Sequence, residues 1–140
     1  MVYTKREGFT LIEILIAIFI VGILAGGAIY YMAGYLEQAR MTRVNSDLKV
    51  ISQAIEMYNN GIGQYPSRLK DLVKRPSDES IAKKWLRTGY LKGKKVPLDP
   101  WNSPYKYKMP GEEGHPYELY SYGPEKKGAS RSKWISVWDD

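Results

Sequence analysis

An uncharged apolar run near the N-terminus limits most strongly what this chain can fold into. The 20 residues from Ile14 to Ala33 include no Asp, Glu, Lys or Arg. At ~1.5 Å per residue, a helix over this run is ~30 Å long, which matches the hydrocarbon core of a bilayer. The run therefore predicts a helix that spans a membrane once.

Charged residues precede the run and mark its start. Lys5 and Arg6 lie in a short basic leader and, with the terminal amine, outweigh Glu7. Positive residues on a short flank favour a cytoplasmic N-terminus, so the longer C-terminal part would be translocated. Glu13 opens the apolar segment, and a bare carboxylate in hydrocarbon costs at least ~2.5 kcal/mol. We therefore expect Glu13 to have a partner.

Two interpretations of the leader remain open. An ordinary secretory signal, cut near Ala25–Gly27, would release a secreted basic binding domain, although the apolar core of such a signal spans only ~7–15 residues. Cleavage after Gly8 would instead place a new amine on Phe9, four residues before Glu13. Glu13 of one subunit could then pair with the terminal amine of a neighbour. Such a pair is strong in low dielectric only when well satisfied, so it would reward correct axial register.

The helix is predicted to continue beyond the apolar run as an amphipathic helix. Beyond Met41, apolar residues recur at spacings of three and four, which places them on one helix face: Val44, Leu48, Ile51, Ile55 and Tyr58. Asn60-Gly61 predicts the end of this helix. Ser67 and Asp78 are each predicted to cap a short helix in the region that follows.

The C-terminal part predicts a small antiparallel sheet. Three segments alternate with a period of two and are rich in aromatic and β-branched residues: 104–109, 117–122 and 134–138. The Gly- and Pro-rich stretch 110–116 between the first two predicts a hairpin loop. With the long helix, these strands predict the α+β class.

The composition excludes several functions. The chain has no cysteine, which rules out a disulfide, thiol catalysis and thiolate metal binding. His115 is the only histidine, and no nucleophile, phosphate-loop or metal-ligand motif is present, so no enzymatic activity is expected. The net charge is +6, but basic residues are scattered among acids. We interpret them as solvated loops and expect no nucleic-acid partner.

The segment Gly8-Phe9-Thr10-Leu11-Ile12-Glu13 after a short basic leader resembles the class III signal of type IV pilins and pseudopilins. The resemblance implies that a prepilin peptidase cuts between Gly8 and Phe9 and N-methylates Phe9, and that Glu13 is the assembly glutamate. One feature departs from the family pattern, since Ala28-Ile29-Tyr30-Tyr31 stands where members often carry a proline. Gly26-Gly27 could soften the helix instead, because glycine costs up to ~1 kcal/mol there.

The C-terminal half resembles the major pseudopilins of type II secretion. The resemblance rests on these motifs: Pro97-Leu98-Asp99-Pro100-Trp101, Pro104-Tyr105, Pro110-Gly111-Glu112, Tyr120-Ser121-Tyr122-Gly123 and Trp138-Asp139. It implies a pilin-like fold and a structural subunit of the pseudopilus, which helps to export folded proteins across the outer membrane. A type IV pilin or a DNA-uptake (competence) pseudopilin is the alternative.

The resemblance also implies a location and partners. The precursor would span the inner membrane once, with its C-terminal domain in the periplasm. Its partners would be further copies of itself, the prepilin peptidase, minor pseudopilins, an inner-membrane assembly platform and membrane lipid. The predicted parts are a cleaved leader (1–8), a transmembrane and filament-core helix (9–33) and a periplasmic domain (34–140). That domain comprises an amphipathic helix (34–60), a variable region of loops and short helices (61–97) and a sheet (98–140).

Major pseudopilins typically bind calcium in the loop before the last strand, so the resemblance implies calcium as a possible cofactor. Here a carbonyl of Tyr122 and the carboxylate of Glu125 could serve as ligands. The later acidic pair is replaced by Ser132 and Trp134, and four basic residues crowd the loop 122–133. Calcium needs six to eight oxygen ligands, several of them charged. We therefore predict no calcium site like that of the family, with the loop held by lysine–acid contacts or by packing of Trp134.

Overall fold

A computed structural model describes residues 8–139. The predictions for the basic leader up to Glu7, and for Asp140, lie outside the described residues. In chain order, the helices and strands are α1 (Leu11–Ile62), α2 (Glu79–Ala82), β1 (Lys106–Lys108), β2 (Glu118–Ser121) and β3 (Ile135–Ser136). Short 3-10 turns cover Leu69–Leu72, Lys92–Lys94, Gly123–Glu125 and Arg131–Lys133. The chain divides after Ala39 into two compact units, which are described separately.

The N-terminal unit consists of the first part of α1 and the residues just before it. Every residue from Gly8 to Leu36 is exposed in the chain taken by itself. The exposed residues include large apolar side chains such as Phe9 (85%) and Phe19 (70%). Among the described residues, α1 is the one helix long and apolar enough to cross a membrane. Its backbone hydrogen bonds are made within the helix, which is the condition for a helix in lipid.

The C-terminal unit begins with the second part of α1, whose inner face is the predicted stripe. All five predicted residues of that stripe are buried: Val44, Leu48, Ile51, Ile55 and Tyr58. The predicted end of the helix at Asn60 was wrong, because α1 continues through Gly61 to Ile62. Gly63 ends it instead, with a φ of 92° and with its N–H donating to the carbonyl of Asn59 at 2.7 Å. A left-handed residue after a helix is normally glycine, since it has no Cβ to clash.

The sheet has the strand order β1-β2-β3, and both pairs are antiparallel. Tyr107 lies opposite Leu119, and Ser121 lies opposite Ile135. Each of the three predicted segments contains one strand, although every strand is shorter than its segment. The hairpin loop between β1 and β2 needs Gly111, because a Cβ there would lie 2.5 Å from the carbonyl oxygen of His115.

The sheet packs on the stripe of α1 to form one core. Tyr117, which directly precedes β2, and Leu119 of β2 are fully buried beside the stripe. Polar bonds tie the two elements at their margins: the Tyr105 hydroxyl donates to Asp47 at 2.8 Å, and the hydroxyls of Tyr117 and Ser52 are 2.8 Å apart. The combination of one long helix and a three-stranded antiparallel sheet confirms the predicted α+β class.

The region between helix and sheet contains short turns. Asp78 caps α2 as predicted, because its carboxylate accepts from the N–H of Ser80 at 2.8 Å. The predicted cap at Ser67 was wrong. The turn there begins one residue later, behind an extended Arg68 (φ −157°) that makes no side-chain cap. Trp85 secures this region by donating its indole N–H to the carbonyl of Asp71 at 2.8 Å.

Candidate functional site

The predicted processing residues lie at the start of α1. Gly8 and Phe9 precede the first helical residue, Leu11, and both are exposed. The peptide bond between them therefore lies outside the helical hydrogen-bond ladder. Glu13 follows in the first turn of the helix. The structure thus places Gly8, Phe9 and Glu13 in one short segment.

Glu13 is engaged in a capping box with Thr10. Its Oε2 accepts from the backbone N–H of Thr10 at 2.8 Å and from the Thr10 hydroxyl at 2.8 Å. In return, the N–H of Glu13 donates to Thr10 Oγ1 at 3.3 Å. This reciprocal arrangement satisfies donors that a helix start otherwise leaves unpaired. Sequence reasoning missed it, although Thr-Leu-Ile-Glu fits the Ser/Thr-x-x-Glu pattern that marks such a cap.

The cap does not use the whole capacity of Glu13. Both bonds that the carboxylate accepts from Thr10 end on the same oxygen, Oε2. An ionised carboxylate offers about four lone-pair sites. The Glu13 carboxylate can therefore cap its own helix and, at the same time, accept a hydrogen bond from a cationic group of another molecule.

The loop between β2 and β3 contains the second group of predicted residues. Glu125, which was the candidate acidic ligand, forms an ion pair with Lys133. Arg131 forms an ion pair with Glu112 of the β1–β2 hairpin, and its Nη2 lies 3.7 Å from carboxylate oxygens of Glu113 and Glu118.

Glu112 shows how strongly these charges act. Its carboxylate accepts from Lys108 Nζ at 2.8 Å and also pairs with Arg131. These two hydrogen-bonded cations, Lys108 first, lower the pKa of Glu112 to about 2. The carboxylate of Glu112 therefore stays ionised over the whole physiological range.

Ring stacking holds the end of the same loop. Trp134 stacks on Tyr120 of β2, with ring centroids 4.1 Å apart and planes 3° from parallel. Its indole N–H donates to the carbonyl of Ala129 at 3.0 Å. Tyr122, the other candidate ligand residue, meets Trp134 edge-on at 5.6 Å.

A buried carboxylate that sequence reasoning missed anchors the start of this loop. Asp99 is 1% exposed and accepts from the N–H groups of Trp101 at 3.0 Å and Ser103 at 2.7 Å. The hydroxyl of Ser121 also donates to it at 2.6 Å, and Ser121 Oγ accepts from the N–H of Gly123 at 3.0 Å. The only sequence clue was the Asp-Pro-Trp turn, because Asp often bonds its own backbone two residues on.

Comparison with known proteins decides the family. Residues 31–138 match the family described as type II secretion system (T2SS), protein G. Residues 3–29 match the prokaryotic N-terminal methylation motif. The chain belongs to the type II secretion system protein G family.

Individual relatives agree with this assignment. The chain is 40% identical to the type II secretion system core protein G of Pseudomonas aeruginosa, over 97% of each chain. It is 36% identical to the core protein G of Klebsiella pneumoniae, over 86% of each chain. The crystal structure of the major pseudopilin from the type 2 secretion system of enterohaemorrhagic Escherichia coli superposes with a TM-score of 0.63 at 26% identity. That match covers 76% of this chain and 92% of the other.

These matches confirm three predictions: the resemblance to major pseudopilins, the pilin-like α+β fold, and the role of a structural subunit of a type II secretion pseudopilus. They favour type II secretion over the alternative of a type IV pilin or a competence pseudopilin. The methylation motif and the apolar start of α1 also agree with anchoring in a membrane.

The loop residues do not fit the calcium ion that the family resemblance implies. Glu125 is the only acid between Tyr122 and Trp134, and its carboxylate already pairs with Lys133. Within residues 8–139, no three Asp, Glu or His side chains are grouped so that they could hold a metal ion. Calcium prefers several charged oxygens. The charged side chains of this loop are instead mainly basic, and two of them pair with nearby acids.

His115 has a structural environment. Its ring stacks on Trp138, with centroids 4.5 Å apart and planes 8° from parallel. Trp138 in turn donates its indole N–H to the carbonyl of Tyr117 at 2.8 Å. His115 therefore belongs to a series of ring contacts that runs through Trp138 to the buried Tyr117.

Proposed function

We propose that this chain is a membrane-anchored precursor that is cleaved between Gly8 and Phe9, methylated on Phe9, and polymerised through its N-terminal helices into the pseudopilus. The observation that carries the proposal is the geometry at the start of α1. An exposed Gly8–Phe9 bond precedes a helix, and the carboxylate of Glu13 in the first turn of that helix forms part of its N-terminal cap. The growth of this filament would help to export folded proteins across the outer membrane.

The chemistry of assembly follows from Glu13. Cleavage after Gly8 creates an ammonium group on Phe9, and the carboxylate of a neighbouring subunit supplies the opposite charge. In a low-dielectric packing of helices, this pair is favourable only when the two groups meet, and an unmatched carboxylate is costly. Glu13 therefore favours one axial register and draws subunits out of bare lipid into the filament.

The exposed apolar surface supports the same route. Because residues 8–36 are all exposed in the single chain, something must cover them in the cell. Lipid covers them in the stored precursor, and neighbouring copies cover them in the filament. The basic leader keeps the N-terminus in the cytoplasm, and the unit that follows Ala39 lies in the periplasm.

The remaining partners follow from this route. Prepilin peptidase acts on the Gly8–Phe9 bond, and an inner-membrane assembly platform and minor pseudopilins start and guide the filament. This chain itself does no catalysis in the scheme, since it contributes an apolar helix and a folded domain.

The mature N-terminus is the first measurement. Intact-mass and N-terminal peptide mass spectrometry of the protein from membranes is expected to find a chain that starts at methylated Phe9. A chain that starts near Ala28 would have lost both Glu13 and most of the apolar run. That result would overturn the proposed route.

Two variants at the helix start separate assembly from capping. Glu13→Gln removes the charge but keeps a side chain that can complete a capping box. We expect it to be cleaved normally but to form no filament, as judged by electron microscopy of sheared filaments. Thr10→Val is the matched control, because it removes the two bonds of the capping box that use the Thr10 hydroxyl and keeps the carboxylate. Normal filaments from Glu13→Gln, or their loss only in Thr10→Val, would contradict the role given to the charge.

A further inference from the structure

We propose that the loop before β3 is fixed by two of its own basic side chains, Arg131 and Lys133, which take the place of a calcium ion. The acids that pair with these two side chains lie mainly outside the loop, on the β1–β2 hairpin. The proposal does not depend on cleavage, methylation or polymerisation, because it concerns the folded domain of a single chain.

Arg131 joins the loop to the hairpin. Its guanidinium pairs with Glu112 and lies 3.7 Å from oxygens of both Glu113 and Glu118. A guanidinium has five N–H donors in a planar fork, so one side chain can serve several carboxylates. Arg131 therefore does from the loop what a bound cation would do, which is to draw acidic groups of separate segments together.

The acidic side of this contact is itself ordered. Glu118 Oε1 accepts from the backbone N–H of Glu112 at 3.0 Å, and the side chain of Glu118 is only 11% exposed. Lys108 approaches Glu112 from β1 at 2.8 Å. The hairpin thus presents preformed carboxylates to Arg131, and less conformational entropy is lost when the contact forms.

Lys133 closes the loop on itself. It pairs with Glu125, eight residues earlier, at the far side of the two 3-10 turns of the loop. The pair therefore links the turn Gly123–Glu125 to the turn Arg131–Lys133. Trp134, which stacks on Tyr120, directly precedes the first residue of β3.

Charge explains why a metal ion does not fit here. Residues 122–134 contain four basic side chains and a single acid. A divalent cation at Glu125 would have to displace the ammonium group of Lys133 and remain close to the other basic groups. Like charges at short range disfavour this arrangement, and one carboxylate cannot complete a calcium shell.

The two ways of fixing a loop respond to different conditions. Exposed ion pairs are weakened by salt, because mobile ions screen them. A calcium site is emptied by a chelator instead. We therefore expect this loop to become more mobile in concentrated sodium chloride. Removal of calcium should leave its mobility unchanged.

The first test uses the full-length chain in detergent micelles. Thermal melting and tryptic cleavage within 122–134 are compared in EGTA and in ~1 mM calcium chloride, a concentration at which extracellular calcium modules fill. We expect the same melting temperature and the same cleavage rate in both. A higher melting temperature or slower cleavage with calcium would overturn the proposal.

The second test removes the charges one at a time. Arg131→Gln and Lys133→Gln are expected to increase amide hydrogen exchange of residues 122–134 several-fold, and added calcium should not reverse the change. Lys94→Gln is the matched control, since Lys94 is an exposed basic residue in another 3-10 turn. Equal exchange in all three variants would overturn the role of the ion pairs.

A charge swap shows whether pairing itself matters. In Glu125→Lys with Lys133→Glu, the two charges exchange places, and we expect the exchange rates of the loop to return toward those of the original chain. Each single reversal should leave the loop loose. All of these readouts are made on unassembled protein, so failure of the proposed processing or filament assembly would not affect them.

Discussion

The two parts of α1 differ sharply in burial although they form one uninterrupted helix. From Leu11 to Ala39 no residue is buried. Between Arg40 and Ile62, seven residues are buried on one face. Backbone hydrogen bonds are the same in kind in both parts, so the helix itself does not decide which side chains leave water.

The difference teaches that the two parts are stabilised by different partners. The second part buries its stripe against strands of its own chain. The first part is apolar on all sides, and such a helix is stable only inside a membrane or a larger assembly. The stability of the second part can therefore be measured on a single chain, whereas the first part is tested by anchoring and filament formation.

The largest expected effect comes from shortening an apolar side chain in each part. Ile51 is fully buried, so Ile51→Ala leaves a cavity at that position. The substitution should lower the free energy of unfolding of the domain by about 2–5 kcal/mol. Ile20→Ala, at a position that is 50% exposed in the single chain, should leave that quantity unchanged. Denaturant unfolding of both variants in detergent checks the contrast. Comparable destabilisation by the two substitutions would break the comparison.

A smaller effect is expected from removing a hydroxyl that bonds to the second part of α1, compared with a hydroxyl carried by the first part. Tyr105 is nearly fully buried, and its hydroxyl donates to Asp47 of α1. Tyr105→Phe should lower the free energy of unfolding by about 0.5–1.5 kcal/mol, the usual net worth of a hydrogen bond. Tyr31→Phe, in the exposed part of α1, is the control and should have no effect on the domain. If Tyr105→Phe unfolds like the original chain, the bond to Asp47 does not hold the sheet to the helix.

The smallest expected effect is that of acid, which acts on surface charges and spares the apolar stripe. The folded pKa of Glu112 is about 2, well below its ordinary value of 4.5, because of Lys108 and Arg131, while Glu113 and Glu118 also face Arg131. A lowered pKa stabilises the fold above the ordinary value, and this contribution is lost as the pH falls from there toward 2.

Unfolding midpoints measured from neutral pH down to ~pH 3 check this expectation. Glu112→Gln should reduce the fall of the unfolding midpoint in acid. It should not change the destabilisation that Ile51→Ala causes at neutral pH. An identical pH profile for Glu112→Gln and the original chain would show that this carboxylate does not contribute.

Periodic patterns carried most of the sequence-based prediction. The stripe from Val44 to Tyr58 was predicted because a helix places residues three and four apart on one face. The strands were found because their segments alternate with a period of two and are rich in aromatic and β-branched residues. Both rules are local, so they fix which residues face the core and say little about where an element ends. Gly61, an apparent stop, therefore stayed helical, and the turn predicted to start at Ser67 begins after Arg68.

The contacts around the loop depend on residues that are distant in sequence. Asp99 meets Ser121, which is 22 residues away, and Arg131 meets Glu112, which is 19 residues away. No local pattern links such pairs, since the topology of the sheet brings them together. The sequence could show an excess of basic residues in the loop, but it could not show which acids they reach.

The lengths of β1 and β3 have a consequence for how crowded copies behave. These two strands form the edges of the sheet; β3 is two residues long, and β1 has three residues, two of which are lysines. Short edges with lysine side chains resist pairing with a strand from another molecule. Pairing between the sheets of neighbouring copies is therefore disfavoured, even where many copies lie side by side.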